Sequence, residues 1–189
     1  MLNIPNTISL LRIVAVPFFL SFLVEGSYRP ALIVFVVTGL SDGVDGAIAR
    51  LTNTRTELGA HLDPVADKLL LVSSFVTLGV LDLVPVQLMI TVILRDIVIL
   101  GGYVGNAVVT GHPMEMRPSL WGKLTTFLQI LSVTVVLVRL AELVTVPANV
   151  LATIFSLTAA ACFVSGAGYV IDGIRWYNHI TGAPGDGKS

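Results

Sequence analysis

The stretch Pro30–Arg50 reads PALIVFVVTGLSDGVDGAIAR, an apolar run that ends in a segment with two aspartates. Its uninterrupted apolar part, residues 30–40, would form only about 16 Å of helix, whereas the hydrocarbon core of a bilayer is about 30 Å thick. A helix that crosses a membrane must therefore continue through Asp42 and Asp45.

A second stretch also has an apolar part that is too short to cross a bilayer as a helix. Leu62–Leu83 reads LDPVADKLLLVSSFVTLGVLDL, and its apolar part, residues 69–81, gives about 20 Å of helix. A spanning helix must begin near Leu62 and include Asp63 and Asp67. The two stretches together predict four carboxylates at membrane depth.

The composition of the whole chain agrees with a membrane protein. The 189 residues are 54% hydrophobic and 12% charged, with a mean hydropathy of +0.89, whereas about a quarter of the residues of soluble domains are charged. The net charge of −1 provides no basic field for nucleic acid. The single cysteine, Cys162, excludes an intrachain disulfide and a thiolate zinc cluster.

Turn-forming residues divide the chain into helices of membrane-spanning length. Six are predicted, at Ile4–Val24, Pro30–Arg50, Leu62–Leu83, Val86–Val109, Leu120–Leu143 and Pro147–Tyr177. The predicted fold is all-α, a polytopic integral membrane protein with six transmembrane helices. One domain is expected over residues 1–180, followed by a disordered tail at 181–189 that is rich in glycine and polar residues.

Basic residues near the predicted helix ends predict the orientation. Apart from Arg95, near the middle of the fourth helix, they fall mostly on the side that holds the amino terminus, and only Arg29 and Arg139 lie on the other side. Cytoplasmic loops retain lysine and arginine. We therefore expect both termini and the connector 51–61 on the cytoplasmic side.

The spacing of the four aspartates predicts a cluster. Asp42 and Asp45 are three residues apart and Asp63 and Asp67 four, so each pair shares one helix face, and the short connector makes the two helices antiparallel. Uncompensated carboxylates in a membrane cost several kcal/mol, so the cluster must be protonated, paired or metal-bound. Oxygen ligands favour Mg²⁺, Mn²⁺ or Ca²⁺. A catalytic metal site and a cation transport pathway both remain open on these residues alone.

Small and basic residues surround the acids. Gly46, Ala49 and Gly59 allow close helix packing or leave room for a bulky phosphate ligand. Arg50 offers a planar fork of donors suited to phosphate, and Lys68 adds a point charge. Acids that bind cations beside basic side chains indicate a phosphorylated substrate.

The acids and small residues form one continuous pattern. Residues 42–67 match D-x-x-D-G-x-x-A-R-x8-G-x-x-x-D-x-x-x-D without a departure, and in this the chain resembles the CDP-alcohol phosphotransferase (CDP-alcohol phosphatidyltransferase) family. The segments 3–12 and 62–68 look like the branch of phosphatidylglycerophosphate synthase and eukaryotic-type cardiolipin synthase.

The resemblance implies a six-helix membrane enzyme, commonly a homodimer, that transfers the phosphatidyl group of CDP-diacylglycerol to an alcohol and releases CMP. It implies that two divalent cations, Mg²⁺ or Mn²⁺, are held against the donor pyrophosphate by Asp42, Asp45, Asp63 and Asp67. Asp67 would complete that metal shell or take the proton from the attacking hydroxyl.

The resemblance also implies where the donor binds, through Gly46, Ala49, Arg50 and Gly59. The acceptor site is expected around Arg95, since a mid-span arginine should point into a cavity and pair with an anion or with Asp96. Arg117 and Lys123 could converge with Arg95 on a phosphate.

The fourth helix bears on the choice of acceptor. In the branch that uses glycerol 3-phosphate, a second arginine follows about two turns after the first, and residues 95–103 of this chain contain no second one. A free phosphomonoester needs more positive charge than a phosphodiester lipid. Phosphatidylglycerol, which would give cardiolipin, is therefore the expected acceptor, with glycerol 3-phosphate as the alternative and a cation transporter as the alternative of another class.

Overall fold

The computed structural model describes residues 4–52, 57–110 and 120–181, and side chains at 11–39, 41, 68–102, 105 and 120–178. Its helices are α1 Ile4–Val24, α2 Tyr28–Thr52, α3 Glu57–Val80, α4 Val86–Thr110, α5 Leu120–Leu140 and α6 Ala148–Thr181. No strand occurs in these ranges. The all-α prediction is confirmed, while residues 182–189 of the predicted tail lie outside the described residues.

α3 begins earlier than the sequence suggested. It starts at Glu57, five residues before Leu62, so the part of the predicted connector from residue 57 onward is helical and Gly59 lies within α3. Glutamate, leucine and alanine in this segment are good helix formers, and no proline precedes position 64 in the helix. The connector between α2 and α3 is therefore residues 53–56, shorter than the predicted connector 51–61.

α1, α3 and α5 end in the same way. Gly26, Asp82 and Glu142 adopt positive φ angles of 73°, 56° and 55°, and each is followed by an amide that bonds back to the last helical turn. In α3, for example, the amide of Leu83 donates to the carbonyl of Leu78 at 2.9 Å. This Schellman arrangement ends α3 and α5 three residues before the predicted Leu83 and Leu143.

The helices form a closed ring. Around the bundle the order is α1, α2, α5, α6, α4 and α3, which returns to α1, and α3 also contacts α5 across the middle. The core is built from large side chains that exclude solvent almost completely: Phe19, Phe75, Leu23, Leu78, Val92, Val133 and Leu137. We call the end that holds the last turns of α2 and the first turns of α3 the aspartate end, and the opposite end the far end. At the far end, Nε of Arg29 donates to the carbonyl of Ala141 at 3.1 Å.

Apolar side chains cover much of the outer surface. Phe163 is 76% exposed, and Phe127, Leu157 and Ile174 are also exposed, as expected for a surface that faces lipid. Within the part of the chain that the structure describes, two helical segments are long and apolar enough to cross a membrane, Leu120–Leu140 and Ala148–Asn178. The apolar parts of α2 and α3, Tyr28–Gly39 and Lys68–Val80, are shorter, in line with the shortfall seen in the sequence.

Candidate active site

The helices continue through all four motif aspartates. α2 extends to Thr52 and so includes Asp42 and Asp45, and α3 includes Asp63 and Asp67. The predicted continuation of both helices is confirmed. Helical spacing keeps each pair on one face, and the two pairs lie on either side of one short connection at the aspartate end.

The side chains of the four aspartates and of the predicted donor residues lie outside those the structure describes. These donor residues are Gly46, Ala49, Arg50 and Gly59, all within α2 or α3. The side chains that are described contain no group of three or more histidine, cysteine, aspartate or glutamate residues. The metal and donor sites therefore rest on backbone register and on the sequence pattern.

A ring contact sets the register of α1 against α2. The ring centroids of Phe19 and Phe35 are 5.7 Å apart, and the helices run in opposite directions across the turn at Gly26. Seven residues further toward the aspartate end, about 10 Å of helix, Arg12 in α1 comes level with Asp42 in α2. Arg12 is only 3% exposed. A guanidinium is thus buried at the level where the acid-bearing segment of α2 begins.

Arg95 lies inside the bundle, as its position in the sequence suggested. Its side chain is 9% exposed. Nη1 donates to Oδ1 of Asp96 at 2.7 Å, and Nη2 donates to Oγ of Ser165 in α6 at 3.1 Å. Nε is buried and has no hydrogen-bond partner among the residues the structure describes. The predicted pairing with Asp96 is confirmed.

Asp96 connects Arg95 to the helix that carries Asp63 and Asp67. Nζ of Lys68 lies 3.4 Å from the same Oδ1 that Arg95 contacts, and Lys68 directly follows Asp67. We refer to Lys68, Arg95, Asp96 and Ser165 as the Arg95 cluster. It joins α3, α4 and α6 and carries two positive charges against one negative charge.

Lys123, one of the other two predicted acceptor residues, is not part of this cluster. Lys123 lies in the first turn of α5 with an exposed side chain, whereas Arg95 is buried, so the two cations face different surroundings. Arg117 lies outside the described residues. The structure therefore brings together Arg95 and Lys68 rather than Arg95 and Lys123.

Ser165 is a site residue that the sequence reasoning missed. Thr158, Cys162 and Ser165 recur on one face of α6, and all three are buried. Polar residues at this helical spacing in an otherwise apolar helix are the signal that points to an interhelical contact. The pattern shows the face but not the partner, because Ser165 and Arg95 are 70 residues apart in sequence.

Comparison with known proteins identifies the family. The sequence profile described as CDP-alcohol phosphatidyltransferase matches residues 2–165. The chain belongs to the CDP-alcohol phosphatidyltransferase family. The match includes both aspartate pairs, the Arg95 cluster and five of the six helices in full.

Relatives within the CDP-alcohol phosphatidyltransferase family carry two kinds of name. The chain is 42% identical over 99 residues to the cardiolipin synthase (CMP-forming) of Homo sapiens, which covers 52% of this chain and about a third (33%) of that protein. It is 30% identical over 154 residues to the CDP-diacylglycerol–glycerol-3-phosphate 3-phosphatidyltransferase of Bacillus subtilis, covering 74% and 78% of the two chains. The enzyme of that name from Aquifex aeolicus is 29% identical over 179 residues, covering 92% and 97%.

Proposed function

We propose that this chain is an integral membrane enzyme with six transmembrane helices that transfers the phosphatidyl group of CDP-diacylglycerol to the hydroxyl of a glycerol-containing acceptor. The observation that carries the proposal is the position of the two aspartate pairs. The last turns of α2 and the first turns of α3 flank one short connection, inside the region that matches the family. CMP is the second product.

The acceptor that best fits the Arg95 cluster is phosphatidylglycerol, and the product is then cardiolipin. Asp96 neutralises one of the two cations of the cluster, Arg95 and Lys68, which leaves one net positive charge. That charge balances the single negative charge of a phosphodiester lipid, whereas a phosphomonoester carries about −1.5 to −2 at neutral pH. The higher identity to the human cardiolipin synthase points the same way.

Glycerol 3-phosphate is the second candidate acceptor. The observation in its favour is that the relatives named for this acceptor match more of the chain, up to 92% of its length. Lys123 and Arg117 would then have to supply the additional positive charge. In either case we expect Arg95 to bind the acceptor.

The donor set on α2 and α3 fits a hard divalent cation. It consists of four carboxylates, and oxygen ligands of this kind select hard cations. Two Mg²⁺ or Mn²⁺ ions would be held by Asp42, Asp45, Asp63 and Asp67. When bound, such ions polarise the donor pyrophosphate and offset the charge of the departing CMP.

Residues of the protein would bind the donor and transfer the proton. Gly46, Ala49, Arg50 and Gly59 bind the CDP-linked donor. The acceptor oxygen forms a bond to the phosphorus of the phosphatidyl group, the bond from that phosphorus to the CMP oxygen breaks, and Asp67 takes the hydroxyl proton. Asp67 alternatively serves only to complete the metal shell.

We further propose that the aspartate end faces the cytoplasm with both termini, and that the enzyme is a homodimer. The distribution of basic residues supports this orientation, since Arg29 and Arg139 lie at the far end and most others toward the aspartate end. CDP-diacylglycerol and the acceptor then enter from the surrounding lipid or from the cytoplasmic side.

Reconstitution tests the activity and the acceptor. Purified chain in lipid–detergent micelles is given CDP-diacylglycerol, Mg²⁺ and either phosphatidylglycerol or glycerol 3-phosphate, and CMP release and lipid products are measured by thin-layer chromatography. We expect cardiolipin from phosphatidylglycerol. A product from glycerol 3-phosphate alone would reverse the choice of acceptor, and cation flux into vesicles without any CMP release would reject the enzyme.

A further inference from the structure

A line of buried polar side chains follows one face of α6 and ends at Arg95. The hydroxyls of Ser132 in α5 and Thr158 in α6 are 2.8 Å apart. One turn along, Nε2 of Gln129 donates to Sγ of Cys162 at 3.6 Å. The next polar residue on this face of α6 is Ser165. Its hydroxyl contacts Arg95 of α4 rather than a residue of α5.

The contact with Ser165 limits how the guanidinium of Arg95 can turn. Nη1 and Nη2 are bonded to partners on two different helices, Asp96 beside it on α4 and Ser165 on α6. Ser165 is 2% exposed, so water does not compete for its hydroxyl. The backbone of α6 also approaches the stem of Arg95, since a Cβ added at Gly166 would lie 3.9 Å from Cγ of Arg95.

We propose that Ser165 is a positioning residue for acceptor binding, which acts by holding Arg95 in one orientation. With Nη1 and Nη2 each bonded to a partner, the remaining N–H donors, that of Nε included, have fixed directions relative to α4 and α6. Without the Ser165 hydroxyl, Nη2 loses its partner and only the bond from Nη1 to Asp96 still restrains the guanidinium. Part of the free energy of acceptor binding must then offset the conformational entropy lost when the Arg95 side chain becomes ordered.

This inference rests on the proposed function, because it assumes that Arg95 binds the acceptor. Ser165→Ala is therefore compared with Arg95→Ala in the same assay. Ser132→Ala is the matched control: it is the same chemical change at a fully buried serine, it also removes an interhelical hydrogen bond to α6, and it does not touch Arg95.

The experiment measures KM for phosphatidylglycerol and for CDP-diacylglycerol, together with the thermal midpoint of each full-length variant. We expect Ser165→Ala to raise the acceptor KM about three- to tenfold, the range given by the net contribution of one typical hydrogen bond, with the donor KM unchanged. Ser132→Ala should lower the thermal midpoint about as much as Ser165→Ala does. It should leave both KM values unchanged. In an Arg95→Ala background, Ser165→Ala should have no further effect on the acceptor KM.

The outcomes separate the inference from the proposed function. A raised acceptor KM in Arg95→Ala with no change in Ser165→Ala would overturn the role of Ser165 alone. An unchanged acceptor KM in Arg95→Ala would overturn the acceptor role of Arg95 and the inference with it. If Ser165→Ala does not fold, Ser165→Cys replaces it, since its thiol is a weaker acceptor of similar size, and the same rise in KM is expected.

Discussion

Lys68 and Asp96 form an ion pair that connects α3 to α4, with Nζ of Lys68 3.4 Å from Oδ1 of Asp96. The same oxygen accepts the bond from Arg95, so one carboxylate contacts both cations. Because Lys68 follows Asp67 in α3, this pair ties the acid-bearing helix to the helix that carries the proposed acceptor residue. The proposed metal and acceptor sites are therefore linked by a direct contact between α3 and α4.

The first prediction concerns the stability of this connection. Asp96→Asn should lower the free energy of unfolding by about 3–5 kcal/mol, because it leaves the buried guanidinium of Arg95 uncompensated. Lys68→Met should cost less than about 1 kcal/mol, since Lys68 is 43% exposed and exposed pairs contribute little. Thermal unfolding in detergent measures both variants. Equal losses would mean that Arg95 does not depend on Asp96.

The second prediction separates the roles of the aspartates. Asp67→Asn should lower kcat at least about 100-fold if it accepts the hydroxyl proton, and it should raise the Mg²⁺ concentration for half-maximal activity less than Asp63→Asn does. Asp63→Asn should raise that Mg²⁺ concentration as well, because it removes a ligand. Asp172→Asn is the control, since Asp172 is exposed and its ion pair is with Arg175, at 4.0 Å. Retained turnover in Asp67→Asn would contradict the role of Asp67 as the base that accepts the hydroxyl proton.

The third prediction concerns the polar contact between α5 and α6. A double-mutant cycle of Ser132→Ala and Thr158→Val should give a coupling energy of about 0.6 kcal/mol, and at most about 1.7 kcal/mol. Thr134→Ala replaces Ser132→Ala in the control cycle, because the Thr134 hydroxyl bonds to the carbonyl of Ile130 within its own helix. Chemical or thermal unfolding supplies the energies. The prediction is wrong if both cycles give the same coupling.

The fourth prediction uses the helix ends at the far end of the bundle. Glu142 has a φ of 55°, which costs a residue with a Cβ about 1–2 kcal/mol, so Glu142→Gly should raise the free energy of unfolding by about 1 kcal/mol. Gly26→Ala should lower it by a similar amount, because a Cβ there would contact no atom within 4 Å and the cost is conformational only. A shift of the same sign in both variants would contradict this account.

Several parts of the fold could be predicted from the sequence because they depend on local properties. The first helix was predicted at its observed bounds, Ile4–Val24, since apolar composition and the turn at Gly26 define it. The continuation of α2 through Asp42 and Asp45 followed from helix length alone. The ends of α3 and α5 were less well predicted, because an apolar residue that follows a Schellman turn, such as Leu83, is indistinguishable in sequence from one more helical residue.

The sequence by itself determined the family pattern from Asp42 to Asp67 and the need for a buried partner at Arg95, because both depend on residue types and on their spacing within one helix. Only the tertiary structure decided which partner that is. Asp96 is adjacent, but Ser165 reaches Arg95 from α6 and Lys68 reaches Asp96 from α3, and their approach depends on how each helix is rotated and shifted against its neighbours. Rotation and shift are set by side-chain packing between distant segments, which helical periodicity within one segment does not contain.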